Sequence, residues 1–144
     1  MPHAQHTVTI SRPPLEVFTY LADGETCTQW RRGVIAVHHL SGSGVGAKYQ
    51  QTVRGPGGRG IPADYEITEY TPNVLIAFQV SAGPVRPRGR YEFEEGDGGT
   101  TVTFTLDVEL RGFKRLVMSG MVSKTMADEV AALDNVKAIL EQRP

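Results

Sequence analysis

The sequence predicts one soluble α+β domain over residues 1–144, in which a curved antiparallel sheet of seven strands wraps a long C-terminal helix, with two short helices after the first strand. Three observations carry that expectation. Six segments in the middle of the chain alternate apolar and polar residues and are separated by short turns rich in Gly, Pro and Ser, the pattern of antiparallel hairpins. After Gly112 the apolar residues return to helical spacing and keep it almost to the end. One amphipathic helix of that length needs one apolar surface to cover it, and the apolar face of the sheet supplies it.

Thr7 to Ile10 (TVTI) reads as the first strand. Ser11-Arg12-Pro13-Pro14 stops it, because proline has no N–H for the ladder yet suits the first turn of a helix. Leu15, Phe18, Leu21 and Ala22 then recur at helical spacing, with Glu16 in the first turn, where the helix dipole favours a carboxylate. Asp23-Gly24 closes this helix and opens a second short one that ends near Trp30, with Gly33 beyond it. The later strands are expected at Val34 to Leu40, Val45 to Arg54, Ile61 to Tyr70, Val74 to Ser81, Gly89 to Glu94 and Thr101 to Leu110. In the last of these Val102, Phe104, Leu106, Val108 and Leu110 point one way, and Thr101, Thr103, Thr105, Asp107 and Glu109 the other. Met118, Val122, Met126, Val130, Leu133, Val136 and Leu140 form one stripe down a helix of about six turns.

Composition narrows the function classes. With 40% hydrophobic and 22% charged residues the chain is ordinary globular material, and a net charge of -1 removes the electrostatic footprint of a nucleic-acid binder. No apolar run is long enough to span a bilayer, and the N-terminus carries no secretory signal architecture, so a cytoplasmic location is expected. Cys27 is the only cysteine, which suits a reducing compartment and reads as a small buried hydrophobe rather than a nucleophile.

The opening VTISRPPLEVFTYLADGETCTQW, the stretch PADYEITEYTPNVLIAF, the hairpin GRYEFEEGDGGTTVTFTLDVEL and the late LDNVKAILE resemble the START-like (SRPBCC) superfamily. Within it they are most similar to the bacterial polyketide cyclase/dehydrase-like and lipid-transport-like proteins. The resemblance covers nearly the whole chain, and it implies a helix-grip fold with a cavity between sheet and C-terminal helix. Its relatives use that cavity for lipids, hormones or polyketides, and some are ring-closing enzymes, so the resemblance speaks for fold more than for function.

Strand parity places Tyr49, Gln51, Tyr65, Phe78, Tyr91 and Phe93 on the concave face. Buried phenols and an amide need partners, which a pocket with water or ligand provides; the alternative is a solid core in which each hydroxyl finds a backbone carbonyl. Met118, Met121 and Val122, with Met126, add an adjustable wall on the long helix, although methionines at helical spacing also serve as plain core. Trp30 is expected near the mouth, packed as a lid.

Other constellations carry less. Ser119 and Ser123 have no His nearby in sequence. His38 and His39 are adjacent in a strand and point to opposite faces, while His3 and His6 lie where a terminus frays, so no metal and no cofactor is expected. Gly55-Pro56-Gly57-Gly58-Arg59-Gly60 lacks the Lys-Ser/Thr ending of a phosphate loop. Arg88 and Arg90 alternate outward, as do Asp64 and Glu66; an inward Glu69 would make a general base if the strand bulged before Tyr70. The sequence therefore leaves three functions open. The first is a binder of a small, mostly apolar, lipid- or polyketide-like ligand. The second is a cyclase/dehydrase acting on a poly-keto or aromatic substrate in the same cavity. The third is a protein-interaction module without ligand. Whether the chain is an enzyme and whether it forms a homodimer are left open.

Overall fold

The computed structural model describes residues 3–83, 85–108 and 124–143. Its sheet runs β1 (His3–Ile10), β2 (Val34–Ser41), β3 (Lys48–Arg54), β4 (Gly60–Pro62), β5 (Tyr65–Thr71), β6 (Leu75–Val80), β7 (Arg88–Gly96) and β8 (Gly99–Asp107). The spatial order is β1-β8-β7-β6-β5-β3-β2, all antiparallel, with short β4 paired to β3 beside that seven-strand path. Helices α1 (Pro14–Ala22) and α2 (Cys27–Trp30) follow β1, separated by one 3₁₀ turn, Gly24–Thr26. Residues 124–131 are helical and continue, past a turn at Ala132, into α3 (Leu133–Glu141). This is the curled half-barrel of a helix-grip fold.

Proline punctuation works as the sequence implies: Pro14 opens α1, and the Asp23 carboxylate caps the next turn by accepting the Glu25 N–H at 3.0 Å. Register shifts interrupt β2 at two places and β5 between Ile67 and Glu69; such bulges bend a strand and help the sheet curl. The stripe on the C-terminal helix reaches its target. Met126, Val130, Leu133, Val136 and Leu140 are all buried, in one core with Val102, Phe104 and Leu106 of β8. Met118, Met121, Val122, Ser119, Ser123 and Leu110 lie outside the described residues.

Polar clamps fix the helix to β1. Lys137 Nζ donates to the Thr9 carbonyl at 2.6 Å, and His6 Nε2 meets Asp134 Oδ1 at 2.8 Å. The Arg12 guanidinium caps the helix end by donating to the Leu140 carbonyl at 2.9 Å.

Several expected boundaries move. β1 begins at His3, not Thr7, because it pairs with β8 along its whole length from His3↔Asp107 to Ile10↔Thr100; His3 and His6 are therefore held, His3 by Asp107. β3 starts at Lys48 rather than Val45, since Gly42, Gly44 and Gly46 all take positive φ and spend those residues on a turn. The strand expected from Ile61 to Tyr70 is split into β4 and β5 at Ala63-Asp64. There Asp64 is half-buried, not solvated, and its carboxylate accepts the Gln51 N–H at 3.1 Å.

Candidate functional site

The concave face carries a continuous run of aromatic rings. Tyr49 stacks on Tyr65 (4.9 Å between centroids, 11° between planes), Tyr65 leans on Phe78 at 5.4 Å, Phe78 on Tyr91 at 6.1 Å, and Tyr91 stacks on Phe104 at 4.4 Å. Trp30 closes the run edge-on to Tyr91 and Phe104. Strand parity puts these side chains inside. Gly89 lets Phe78 lie across β7, since a Cβ there would overlap that ring. Gly24 does the same at the other end: a Cβ would overlap the Tyr65 hydroxyl and come within 2.8 Å of the Tyr49 ring.

Between these rings and the α1–α2 segment lies an enclosed space of about 20 Å³, the room that one water takes. Its apolar walls include Leu21, Ala22, Ile67, Ile76 and Phe78, and its polar groups are Cys27, Arg31, Gln51, Tyr65 and Tyr91. On the outside of Ala22, Ile67 and Ile76 an open groove of about 460 Å³ runs between α1 and the β2–β3 turn.

Arg31 organises the polar side. Its Nε donates to Glu129 Oε2 at 2.6 Å, tying α2 to the C-terminal helix, and its Nη1 donates to Gln51 Oε1 at 3.0 Å. The Gln51 amide in turn donates to the Ala63 carbonyl at 2.9 Å. Burial by itself would lower the Arg31 pKa; the Glu129 carboxylate more than offsets this and keeps the guanidinium charged, above its ordinary range. Burial pushes the Tyr65 and Tyr91 phenols well up, Arg31 opposing it only in part, so both stay protonated. Burial likewise raises the Cys27 thiol, which is therefore a neutral buried hydrophobe, as expected for a lone cysteine. The cluster thus offers protonated donors around one compensated ion pair, and among the described residues it holds no free carboxylate or thiolate.

Of the residues named from sequence, Gln51, Tyr65, Phe78 and Tyr91 line this space, and Tyr49 backs it through its stack on Tyr65. Phe93 is buried but belongs elsewhere, against Phe18 of α1 at 5.2 Å. Trp30 is not at a mouth: only 2% of it is exposed, its carbonyl accepts the Asn135 amide at 2.9 Å, and its indole N–H meets no partner among the described residues. β5 does bulge after Ile67, but the bulge leaves Glu69 exposed, so Glu69 is not the interior base. Arg88 and Arg90 are exposed as expected, and the described residues contain no cluster able to hold a metal. Sequence reasoning missed Arg31 and Glu129. The available signal was spacing, since Glu129 lies between Met126 and Val130, inside the apolar stripe of the helix.

Comparison with known proteins follows the geometry. The chain superposes on TTHA0849 of Thermus thermophilus with a TM-score of 0.82 at 19% identity, covering 99% of this chain and 100% of that one. A START superfamily protein of Mycobacterium smegmatis gives 0.79 at 18% identity, covering 97% of each chain. The Zhui aromatase/cyclase of a Streptomyces species gives 0.72 at 20% identity, covering 98% of this chain and 94% of that one. No curated protein sequence matches significantly. At these identities the superpositions speak for fold, and they agree with the helix-grip architecture. The family model described as "Polyketide cyclase / dehydrase and lipid transport" matches residues 1–141, and the chain belongs to that family.

Proposed function

We propose that this protein binds a small, mostly apolar molecule between the sheet and the helices, with the polar end of the ligand at Arg31, Gln51, Tyr65 and Tyr91. The observation that carries the reading is the buried polar cluster itself. An ion pair sunk in a core contributes little net stability compared with apolar residues of the same volume, and each buried phenol adds a hydroxyl that needs a partner. A core built only for stability has no use for them at one small cavity, whereas a ligand site is apolar with a few convergent polar groups. The space of about 20 Å³ fits only a ligand's polar tip, so binding must part the aromatic run from the α1–α2 segment. The open groove on the far side of Ala22, Ile67 and Ile76 gives that movement somewhere to start. The family description supports an apolar ligand, and the neutral Cys27 suits the cytoplasm, where we place the protein.

A cyclase/dehydrase is the second reading, favoured by what the Zhui neighbour is called and by protonated tyrosines able to donate to a carbonyl. It ranks second because Glu129, the carboxylate at the site, is engaged by Arg31. The interaction-module reading draws on the exposed Leu40, Val45 and Val74.

Native mass spectrometry of the purified protein, followed by extraction, tests the first reading. A stoichiometric apolar passenger is expected, or else saturable binding of 1-aminoanthracene reported by Trp30 emission. A bare mass together with no saturable probe binding refutes it and moves weight to the module.

A further inference from the structure

Charge is spread unevenly between the two ends of the sheet. At the end where β3 runs into β4 and β6 into β7, four exposed arginines share one set of loops: Arg32, Arg54, Arg59 and Arg86. Close backbone contacts tie those loops together. The Arg54 N–H donates to the Gly33 carbonyl and the Gly55 N–H to the Arg59 carbonyl, each at 2.7 Å. Gly83 lies so near the Pro62 carbonyl that a Cβ there would overlap it, and Arg86 Nε donates to the Gly83 carbonyl at 3.2 Å. None of the four arginines forms an ion pair among the described residues, and the nearby Asp64 and Glu129 carboxylates are engaged by the Gln51 N–H and by Arg31.

The far end carries the opposite sign. Glu94, Glu95 and Asp97 are exposed at the β7–β8 turn and likewise form no ion pair among the described residues. β7 alone, with its 9 residues, separates exposed Arg88 from that turn by roughly 27 Å. A net charge of -1 conceals this polarity.

Apolar side chains stand among the arginines. Ile35 is 42% exposed and lies beside Gly60, Pro62 is exposed, and Ile61 and Val85 are half-buried. A soluble polyanion would pair with the guanidinium groups but leave these side chains in water. The interface of an anionic bilayer takes both, with phosphates for the arginine forks and the acyl boundary for the apolar tips. A charged plane also attracts one pole and repels the other, which orients the molecule end-on.

We infer that this end is a docking surface for an anionic membrane, gripped by Arg32, Arg54, Arg59 and Arg86, with Ile35 and Pro62 entering the interface. The contact is peripheral: no helix among the described residues is long and apolar enough to cross a bilayer. The inference is independent of the interior binding reading and holds whether or not the interior opens.

Co-sedimentation tests it with two kinds of vesicle, phosphatidylcholine alone and phosphatidylcholine mixed equally with phosphatidylglycerol. An arginine near such a surface contributes about five-fold, so partitioning onto the anionic vesicles is expected to exceed that onto the neutral ones by at least about 100-fold. High salt should abolish the difference. Two reversals that change net charge equally then separate place from charge. Arg59→Glu, on the exposed loop, should lower anionic partitioning at least about five-fold. Arg90→Glu, on the outer face of β7 beside Glu92, should lower it by less than about two-fold. Circular dichroism checks that both variants keep the fold. Equal partitioning onto the two vesicles, or equal losses in the two variants, overturns the inference. So does capture by soluble polyglutamate with none by vesicles, which would assign this end to an acidic protein.

Discussion

Removing one partner of the Arg31–Glu129 pair is expected to cost far more than removing both. The side chains are only 12% and 17% exposed and meet at 2.6 Å, so Glu129→Leu strands a guanidinium in the core and Arg31→Met strands a carboxylate. Breaking a buried pair from one side costs about 3–5 kcal/mol, and the residual exposure here argues for the lower end, about 3 kcal/mol. For a domain of this length each kcal/mol moves Tm by roughly 4 °C, so each single variant should melt roughly 12 °C low. The double variant exchanges the pair for apolar volume and leaves only the Gln51 carbonyl without its donor, a loss of about 1–2 kcal/mol. Urea unfolding followed by circular dichroism on the four proteins closes the cycle, and a coupling energy of at least about 2 kcal/mol is expected. Single losses below about 1 kcal/mol that simply add would refute the reasoning. They would mean that water reaches both charges, and the argument for a compensated buried pair would go with them.

Gly24→Ala should destabilise by about 1–3 kcal/mol, because the new methyl overlaps the Tyr65 hydroxyl and crowds the Tyr49 ring; Tyr65→Phe in the same chain should recover part of the loss, as read by urea midpoints. Alkaline pH should weaken the fold. The neutral forms of Tyr65 and Tyr91 are favoured by burial, so their contribution is full below the ordinary phenol value of about 10 and is lost as pH climbs from there towards their raised folded values. Unfolding free energies at pH 10 and 11 should therefore differ by about 2 kcal/mol more in the parent than in Tyr65→Phe/Tyr91→Phe; equal slopes would contradict the burial of the phenols. Trp30→Ala should cost about 3–5 kcal/mol in the same assay, while Trp30→Phe should cost about 1–2 kcal/mol, since the indole N–H gives up no hydrogen bond to the described residues. A Phe variant as damaged as the Ala variant would show that the N–H has a partner after all.

Much of the fold is legible because a strand's period fixes which side chains share a face. Tyr49 with Gln51, Tyr65 with Ile67, and Tyr91 with Phe93 are all inside, as parity requires, and Met126 through Leu140 lie on one buried stripe. What parity does not carry is where a strand begins or breaks. The shift of β3 to Lys48 depends on three glycines adopting positive φ, and the break at Ala63-Asp64 depends on a carboxylate reaching across to the Gln51 N–H. Both are decided by contacts outside the segment. The extension of β1 back to His3 has the same origin, since only the length of β8 beside it shows that residues 3–6 have a partner.

The site divides along the same line. Residues that one strand can place, Gln51, Tyr65, Phe78 and Tyr91, were identifiable one element at a time. Phe93 shows the limit: same strand and same parity as Tyr91, yet two residues further along it faces α1 instead of the cavity. Arg31 and Glu129 lie on different elements, and nothing in either segment names the other. Their meeting depends on how α2 is docked, which the Asn135 amide fixes by donating to the Trp30 carbonyl next to Arg31. A Glu within an apolar stripe is nonetheless a usable mark, because an ionised carboxylate is not buried without a partner. Applied to residues 126–140, that rule selects Glu129 and requires a cation from another element, and Arg31, directly after the buried Trp30, supplies it. The strands therefore set the shape of the interior, while the contact between helices sets its chemistry: it neutralises the charge there.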